Sequence, residues 1–111
     1  MDFKVKFPAG YILSDVNNDN IDVNIVLKNG KVHFATLFTV LNVQKLLKGN
    51  TYFWSTDMII LQDLEMKTIR QAIYEIISDD YLGLATTEIG TIKDVYGEGN
   101  KYESIEDLSF N

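Results

Sequence analysis

The residues that could take part in catalysis are few. His33 is the only histidine, and histidine is the side chain that most readily exchanges protons near neutral pH. It lies within a strand-like segment, so we expect it to face solvent or a neighbouring strand. No serine follows a Gly-x-Ser-x-Gly pattern and the chain has no cysteine, so no nucleophile–base pair is indicated. The sequence predicts no catalytic residue. A small enzyme that uses His33 with a carboxylate is the least favoured of three possible functions, and the other two are functions in binding.

One loop has part of the spacing of a metal site. Asp15, Asn17 and Asp19 match the first three ligand positions of a calcium-binding loop. The pattern then stops, because Asn20 stands where glycine makes the sharp turn and Val26 stands where a glutamate closes the ligand shell. The closely spaced glycines near the C-terminus lie among acids and do not resemble a phosphate loop. We therefore expect no metal and no cofactor.

Charge carries information about the partner. The 111 residues include 16 acidic and 10 basic side chains, a net charge of −6. Residues 94–111 hold five acids and one base, a net −4. A protein with this charge repels nucleic acids and anionic lipids and attracts basic surfaces. We expect no nucleic acid and no membrane as partner, and we interpret the acidic C-terminal segment 94–111 either as a solvated surface or as a docking patch for a cationic partner.

Length and composition predict a single α+β domain over residues 1–111. An apolar content of 46% can form a core without disulfides. The N-terminus alternates charged and apolar residues and lacks the apolar stretch of a signal peptide. No apolar run approaches the roughly 20 residues that span a bilayer. With no cysteine present, these features predict a cytoplasmic protein.

The first part of the chain is typical of strands. Alternating apolar residues predict a strand over 3–7, a short strand over 11–13, and longer strands over 21–28 and 31–38. The dipeptide Asn29-Gly30 separates the last two. Asn-Gly is a strong hairpin signal because both residues tolerate the positive φ of a type I′ turn.

Two helices are indicated by their capping residues and apolar spacing. Thr39 can cap a helix over 40–48, which Gly49 can end in a left-handed conformation. Asp63 can cap a longer helix over 64–78, whose isoleucines recur at helical spacing.

Two further segments predict strands. Residues 52–61 predict a central strand that begins near Tyr52 or after Asp57, and residues 84–95 predict a last strand. The order β-β-β-α-β-α-β indicates an α+β fold, with a mainly antiparallel sheet built on a β-hairpin and two α-helices packed on one face.

Consecutive aromatic residues at 52–54 admit two interpretations. Such a run is typical of a buried core. Alternate residues of a strand point to opposite sides, however, so one of Tyr52 and Trp54 can face outward. Exposed tryptophan and tyrosine are typical anchors of protein interfaces.

Two segments resemble a known family. They are DVNIVLKNGKVHFATLFT at 22–39 and YFWSTDMII at 52–60, and the second leads into the helix at 64–77. Together they are similar to a family of small uncharacterised bacterial proteins. Some of its members look like immunity proteins of toxin–immunity pairs, including contact-dependent inhibition systems. The resemblance covers about half of the chain, and it implies this fold and a role in binding a toxin.

The resemblance and the charge together favour an immunity protein that binds and neutralises a bacterial toxin. A nuclease with a basic cleft is the expected target, because an acidic inhibitor is steered to such a surface and occludes it. A generic adaptor domain with a neutral apolar site around the exposed aromatics is the alternative, and the oligomeric state is left open. The residues expected to face the partner are Asp15, Asp19, Asp22, Tyr52, Trp54, Asp79, Asp80, Glu98, Glu103, Glu106 and Asp107.

Overall fold

The computed structural model describes residues 3–97 and 109–110, and it confirms the α+β class. Its main element is an open, mainly antiparallel sheet of five strands. The strands are β1 (Phe3–Lys6), β2 (Ile12–Leu13), β3 (Asn20–Leu27), β4 (Lys31–Thr39), β5 (Met58–Leu61), β6 (Thr87–Thr91) and β7 (Ser109–Phe110). The helices are α1 (Val40–Leu47), α2 (Met66–Ser78), α3 (Leu82–Ala85) and α4 (Ile92–Tyr96).

The sheet is organised around β4. One side of β4 pairs with β3 in antiparallel register, and β1 pairs with the far side of β3. The other side of β4 is divided between two strands. Residues 31–34 pair with β6 in antiparallel orientation, and residues 36–39 pair with β5 in parallel orientation. The short strands β2 and β7 form a separate parallel pair.

The predicted hairpin between β3 and β4 is present, but its turn differs from the expected type. Gly30 has a φ of +87° and Asn29 does not have a positive φ, so the turn is not type I′. The amide of Gly30 donates to the carbonyl of Leu27 at 2.9 Å, and Val26 pairs with Val32. Lys28 thus belongs to a three-residue connection that ends in a left-handed glycine, a common hairpin geometry.

The core lies between one face of the sheet and α2. Alternate residues of β3 and β4 point to this face and are almost completely buried. Ile69 and Ile73, one helical turn apart, supply the α2 side. Fully burying one such side chain stabilises the fold by about 1.5–3 kcal/mol. The main members of this core are Val5, Phe7, Leu13, Ile21, Val23, Ile25, Ala35, Leu37, Ile59, Leu61, Leu64, Ile69 and Ile73.

The start of α1 is as predicted and the start of α2 is not. Thr39 caps α1, because its hydroxyl accepts the amide N–H of Asn42 at 3.1 Å. Asp63 does not cap α2; Glu65 occupies the N-cap position without a side-chain hydrogen bond. Leu64 is held outside the helix, since its amide donates to the carbonyl of Val16 at 2.8 Å and its side chain is buried. Within the described ranges, no helix is long and apolar enough to cross a membrane.

Two predicted strands differ in part from expectation. Of the two starts predicted within 52–61, the one after Asp57 is confirmed, because the strand begins at Met58 after Asp57 takes a φ of +52°. The predicted central position is wrong, since this strand lies at an edge of the sheet. The segment 84–95 contains β6 between two short helices. A capping box between Thr91 and Asp94 begins α4 and ends the strand there.

Candidate functional site

Two aromatic side chains project from the loop that joins α1 to β5. Tyr52 is 71% exposed and Trp54 is 68% exposed. Phe53 between them is partly buried and lies edge-on to Phe38 of β4, with ring centroids 5.4 Å apart. The loop thus keeps a strand-like alternation, and both outer aromatics face solvent where the sequence led us to expect one.

Both ends of this loop are held by backbone hydrogen bonds. At its start, Gly49 has a φ of +82° and the amide of Asn50 donates to the carbonyl of Leu47 at 2.8 Å. At its end, the carbonyl of Asp57 accepts the amide N–H of Thr36 at 3.0 Å. The aromatic pair is therefore presented on a fixed support, with Phe53 as its inner anchor.

Two carboxylates lie on the same face of the sheet as this loop. Thr36 pairs with Asp22 of β3 on one side and with the start of β5 on the other. Its hydroxyl donates to Asp22 at 2.9 Å, and the Asp57 carboxylate accepts the hydroxyl of Thr87 at 2.7 Å. Thr36 and Phe38 lie on one face of β4, being two residues apart. Since Phe53 packs on Phe38, the loop covers that same face.

We call Asp22, Tyr52, Trp54 and Asp57 the aromatic–carboxylate surface. Each carboxylate has one neutral hydroxyl partner and further lone pairs available for a cation. A guanidinium can bind a carboxylate through two hydrogen bonds and can stack on an indole or phenol ring. The surface is thus suited to arginine or lysine side chains of another protein. Sequence reasoning missed Asp57 because this residue was considered only as a boundary of the predicted strand, either within it or just before it.

The other acids of the N-terminal loop stabilise the loop itself. The Asp15 carboxylate accepts the amide N–H of Asn17 at 2.9 Å. Asp19 is half-buried and accepts the hydroxyl of Tyr11 and the amide of Asn20. Burial, together with the charge of Asp19, raises the pKa of Tyr11 to about 12. In the described part of the chain no three potential ligands gather around a metal position.

The acids at the end of α2 are both exposed. Asp80 has a φ of +62°. Its amide donates to the carbonyl of Ile77, and the amide of Tyr81 donates to the carbonyl of Ile76. This pattern closes the helix as a Schellman motif, in which aspartate is among the few non-glycine residues tolerated. Asp80 thus has a local structural role. The predicted contact residues Glu98, Glu103, Glu106 and Asp107 lie outside the described residues.

A basic cleft lies at the other end of the same sheet face. It has a volume of about 700 Å³, and Lys4, Lys6 and Lys28 line it together with Tyr96. The Lys6 ammonium lies 5.0 Å from the centre of the Tyr96 ring, a favourable cation–π distance. Charge on this face is therefore divided, so a cationic partner is attracted to the aromatic–carboxylate surface and repelled from the cleft.

His33 is buried, so of the two orientations expected for it, towards solvent or towards a neighbouring strand, the one towards solvent is wrong. Only 7% of the residue is accessible, and its Nδ1 lies 2.9 Å from the hydroxyl of Thr86. That hydroxyl donates to the carbonyl of Leu82 at 2.6 Å, so it accepts from His33 and places the neutral ring's proton on Nδ1. Nε2 lies 3.9 Å from the exposed carboxylate of Glu88. The burial arises because His33 points to the core face and Thr86, the residue just before β6, lies against its ring.

His33 gives an expected dependence of stability on pH. Burial lowers the pKa of His33 below its ordinary value of 6.5, Lys31 lowers it further, and Glu88 partly opposes both. The unfolded chain therefore binds more protons than the folded one as the pH falls below 6.5. Stability should be greatest above that pH and should decline by up to about 1.4 kcal/mol per pH unit as the pH falls from 6.5 to the folded pKa.

Urea denaturation between pH 7.5 and 5.5 measures this effect. The matched variant is His33→Gln, which keeps a side-chain N–H near Thr86 but does not titrate. Its unfolding free energy should change less over this range than that of the parent. Equal slopes for the two proteins would show that His33 does not control the dependence.

Comparisons with known proteins add no relative. No protein-family model, no curated protein and no solved structure matches this chain. The functional interpretation therefore depends on the chain's own residues and their arrangement.

Proposed function

We propose that this protein is an inhibitory binding protein of the immunity type, which neutralises a bacterial toxin by covering a basic surface. The observation that carries the proposal is the pair of exposed aromatics, Tyr52 and Trp54, on a loop anchored by Phe53 against Phe38. Large aromatic side chains that are exposed beside a partly buried anchor are typical of interface hot spots. They bury much area at low cost in side-chain entropy.

The carboxylates beside the aromatic pair favour a cationic partner. Asp22 and Asp57 flank Thr36 on the same face, and the whole chain has a net charge of −6. A basic nuclease cleft matches this arrangement, because its arginines and lysines can contact the carboxylates and stack on the rings. The overall charge also accelerates encounter with such a cleft.

A neutral partner is the second candidate, and exposed apolar residues of α1 favour it. Leu41 and Leu47 are exposed, and Leu47 lies just before the loop that carries Tyr52 and Trp54. An apolar surface of this kind fits an adaptor domain that binds without charge complementarity. The two candidates differ in how strongly salt weakens binding.

Titration calorimetry against the protein encoded directly beside this one is the test. We expect nanomolar binding at about 0.1 M salt and an affinity at least about tenfold weaker at about 1 M, since the screening length falls from about 10 Å to about 3 Å. An affinity that does not change with salt concentration would favour the adaptor domain. Absence of binding would remove the support for an immunity function.

A matched variant tests whether the salt dependence of binding comes from the aromatic–carboxylate surface. Asp22→Asn combined with Asp57→Asn keeps the acceptors for Thr36 and Thr87 and removes both charges. This double variant should bind more weakly at low salt and should respond less to added salt. An unchanged response would place the electrostatic contact elsewhere on the protein.

A further inference from the structure

The strand β5 forms an edge of the sheet that, among residues 3–97 and 109–110, lacks the usual protection. β5 pairs with β4 on one side and with no other strand of the described residues. Its sequence, Met-Ile-Ile-Leu, has no charge and no proline, and Ile60 is 51% exposed. The opposite edge, β1, carries Lys4 and Lys6. Charged residues, above all lysine, are the common device against edge-to-edge pairing, and β5 has none.

A depression runs along this edge. It has a volume of about 580 Å³ and lies between Ile60, Val40 and one stripe of α2. Alternate residues of a strand direct their backbone groups to opposite sides, so part of the N–H and C=O groups of β5 point away from β4 towards this space. An added strand could bond to them and place its side chains against Ile60 and Val40.

The α2 stripe beside the edge has a self-complementary charge pattern. Lys67, Gln71 and Glu75 are spaced by four residues, so they lie on one side of the helix, and all three line the depression. Gln71 donates to the Glu75 carboxylate at 3.2 Å. Lys67 and Glu75 form no ion pair with any described residue of their own chain.

We propose that β5 pairs with β5 of a second copy of this chain, in antiparallel orientation about a two-fold axis. The same rotation sets the two α2 helices antiparallel, with Gln71 near the axis. Lys67 of one copy then faces Glu75 of the other, and the contact occurs twice because an isologous interface repeats every pair. The two sheets become one continuous sheet across the dimer.

A second copy fits this edge better than an unrelated strand. An unrelated partner would need complementarity to one positive and one negative group at fixed spacing. A second copy that runs antiparallel presents Glu75 opposite Lys67 and Lys67 opposite Glu75. The neutral Gln71 lies midway between the two charges. Two-fold pairing also buries both unprotected β5 edges in a single contact.

Analytical ultracentrifugation of the protein alone tests the dimer. The mass should rise with concentration towards twice the monomer mass. A mass that stays monomeric up to about 1 mM would overturn the proposal. This measurement needs no toxin, so its outcome is independent of the proposed function.

Charge reversal tests the pairing of the helices. Lys67→Glu alone and Glu75→Lys alone should each weaken the dimer by about tenfold, since each change places like charges together at two symmetric contacts. The double variant, Lys67→Glu with Glu75→Lys, restores opposite charges across the axis and should return the affinity to near the parent value. A double variant that is folded and as weak as the single variants would overturn the arrangement.

The strand contact has its own matched pair of variants. Ile60→Lys places a charge on the β5 edge and should abolish the dimer. Ile12→Lys makes the same change in β2 at an equally exposed isoleucine, also 51% accessible, and should leave the dimer intact. Circular dichroism confirms that both variants are folded. A dimer that survives Ile60→Lys would show that β5 does not form the contact.

Discussion

Trp54→Ala should weaken binding to the proposed cationic partner by about 2–4 kcal/mol, the range of an interface hot spot, or about 30- to 1,000-fold in Kd. The indole is 68% exposed, so its removal leaves no hole in the core. Phe53 and its contact with Phe38 remain to hold the loop. The loss should therefore appear in binding and should leave the thermal stability almost unchanged. Titration calorimetry and a thermal melt of the same samples measure both.

An exposed aromatic outside the loop supplies the control. Tyr81 is 56% exposed and follows α2, and Tyr81→Ala should have little effect on affinity. Trp54→Phe, which keeps a flat apolar ring, should retain a substantial part of the binding free energy. If Tyr81→Ala and Trp54→Ala weaken binding equally, the partner does not use the aromatic–carboxylate surface as its centre.

Thr39→Val should lower the free energy of unfolding by about 2–3 kcal/mol. Thr39 is fully buried at the junction of β4 and α1. Its hydroxyl accepts the amide of Asn42 at 3.1 Å and the amide of Asp19 at 3.3 Å. Valine has nearly the same shape but no acceptor, so the substitution leaves both amides without this partner.

Thr39→Ser is the matched control, because it keeps the hydroxyl and removes only a methyl group. We expect it to cost about 1 kcal/mol, the loss of one buried methyl with incomplete repacking. Urea denaturation at pH 7.5 compares the three proteins. Equal losses for the serine and valine variants would show that packing at Thr39, and not its hydroxyl, stabilises the junction.

The elements best predicted from the sequence have local signals. The hairpin between β3 and β4 has Asn29-Gly30, and α1 has Thr39 as its cap. Residues within a few positions of one another determine a hairpin turn and a helix cap, so the sequence of a single protein is enough to predict them. The α+β class follows from the order of such elements.

The elements predicted less well depend on distant partners. Residues 52–61 are mostly apolar, and their pattern left the start of the strand either near Tyr52 or after Asp57; pairing with β4 decides this, because it begins at Met58. Leu64 looked like the first residue of a helix, and its hydrogen bond to Val16 keeps it outside α2. These contacts join residues far apart in the chain, and local patterns do not contain them.

The candidate site likewise has some features that depend on neighbouring residues in the sequence and others that depend on distant ones. Alternation around Phe53 was enough to suggest an outward aromatic at Tyr52 or Trp54. The position of Asp57 beside Thr36 was not predictable, because it requires the parallel pairing of β4 with β5. The sequence left His33 facing either solvent or a neighbouring strand. It could not show the burial, because Thr86, whose hydroxyl contacts the ring, is 53 positions away.

The divided pairing of β4 has a consequence for how the protein opens. β5 or β6 can detach and leave the β1–β3–β4 pairing intact, whereas release of β4 removes the ladder partner of both β5 and β6. Opening of β4 thus leaves only the β1–β3 pair of the five-stranded sheet, so we expect the central amides of β4 to exchange with solvent slowly. The strand that supports Phe53 and borders Asp57 is the one least exposed to local fluctuation. We therefore expect the surface offered to the proposed partner to be ordered before binding.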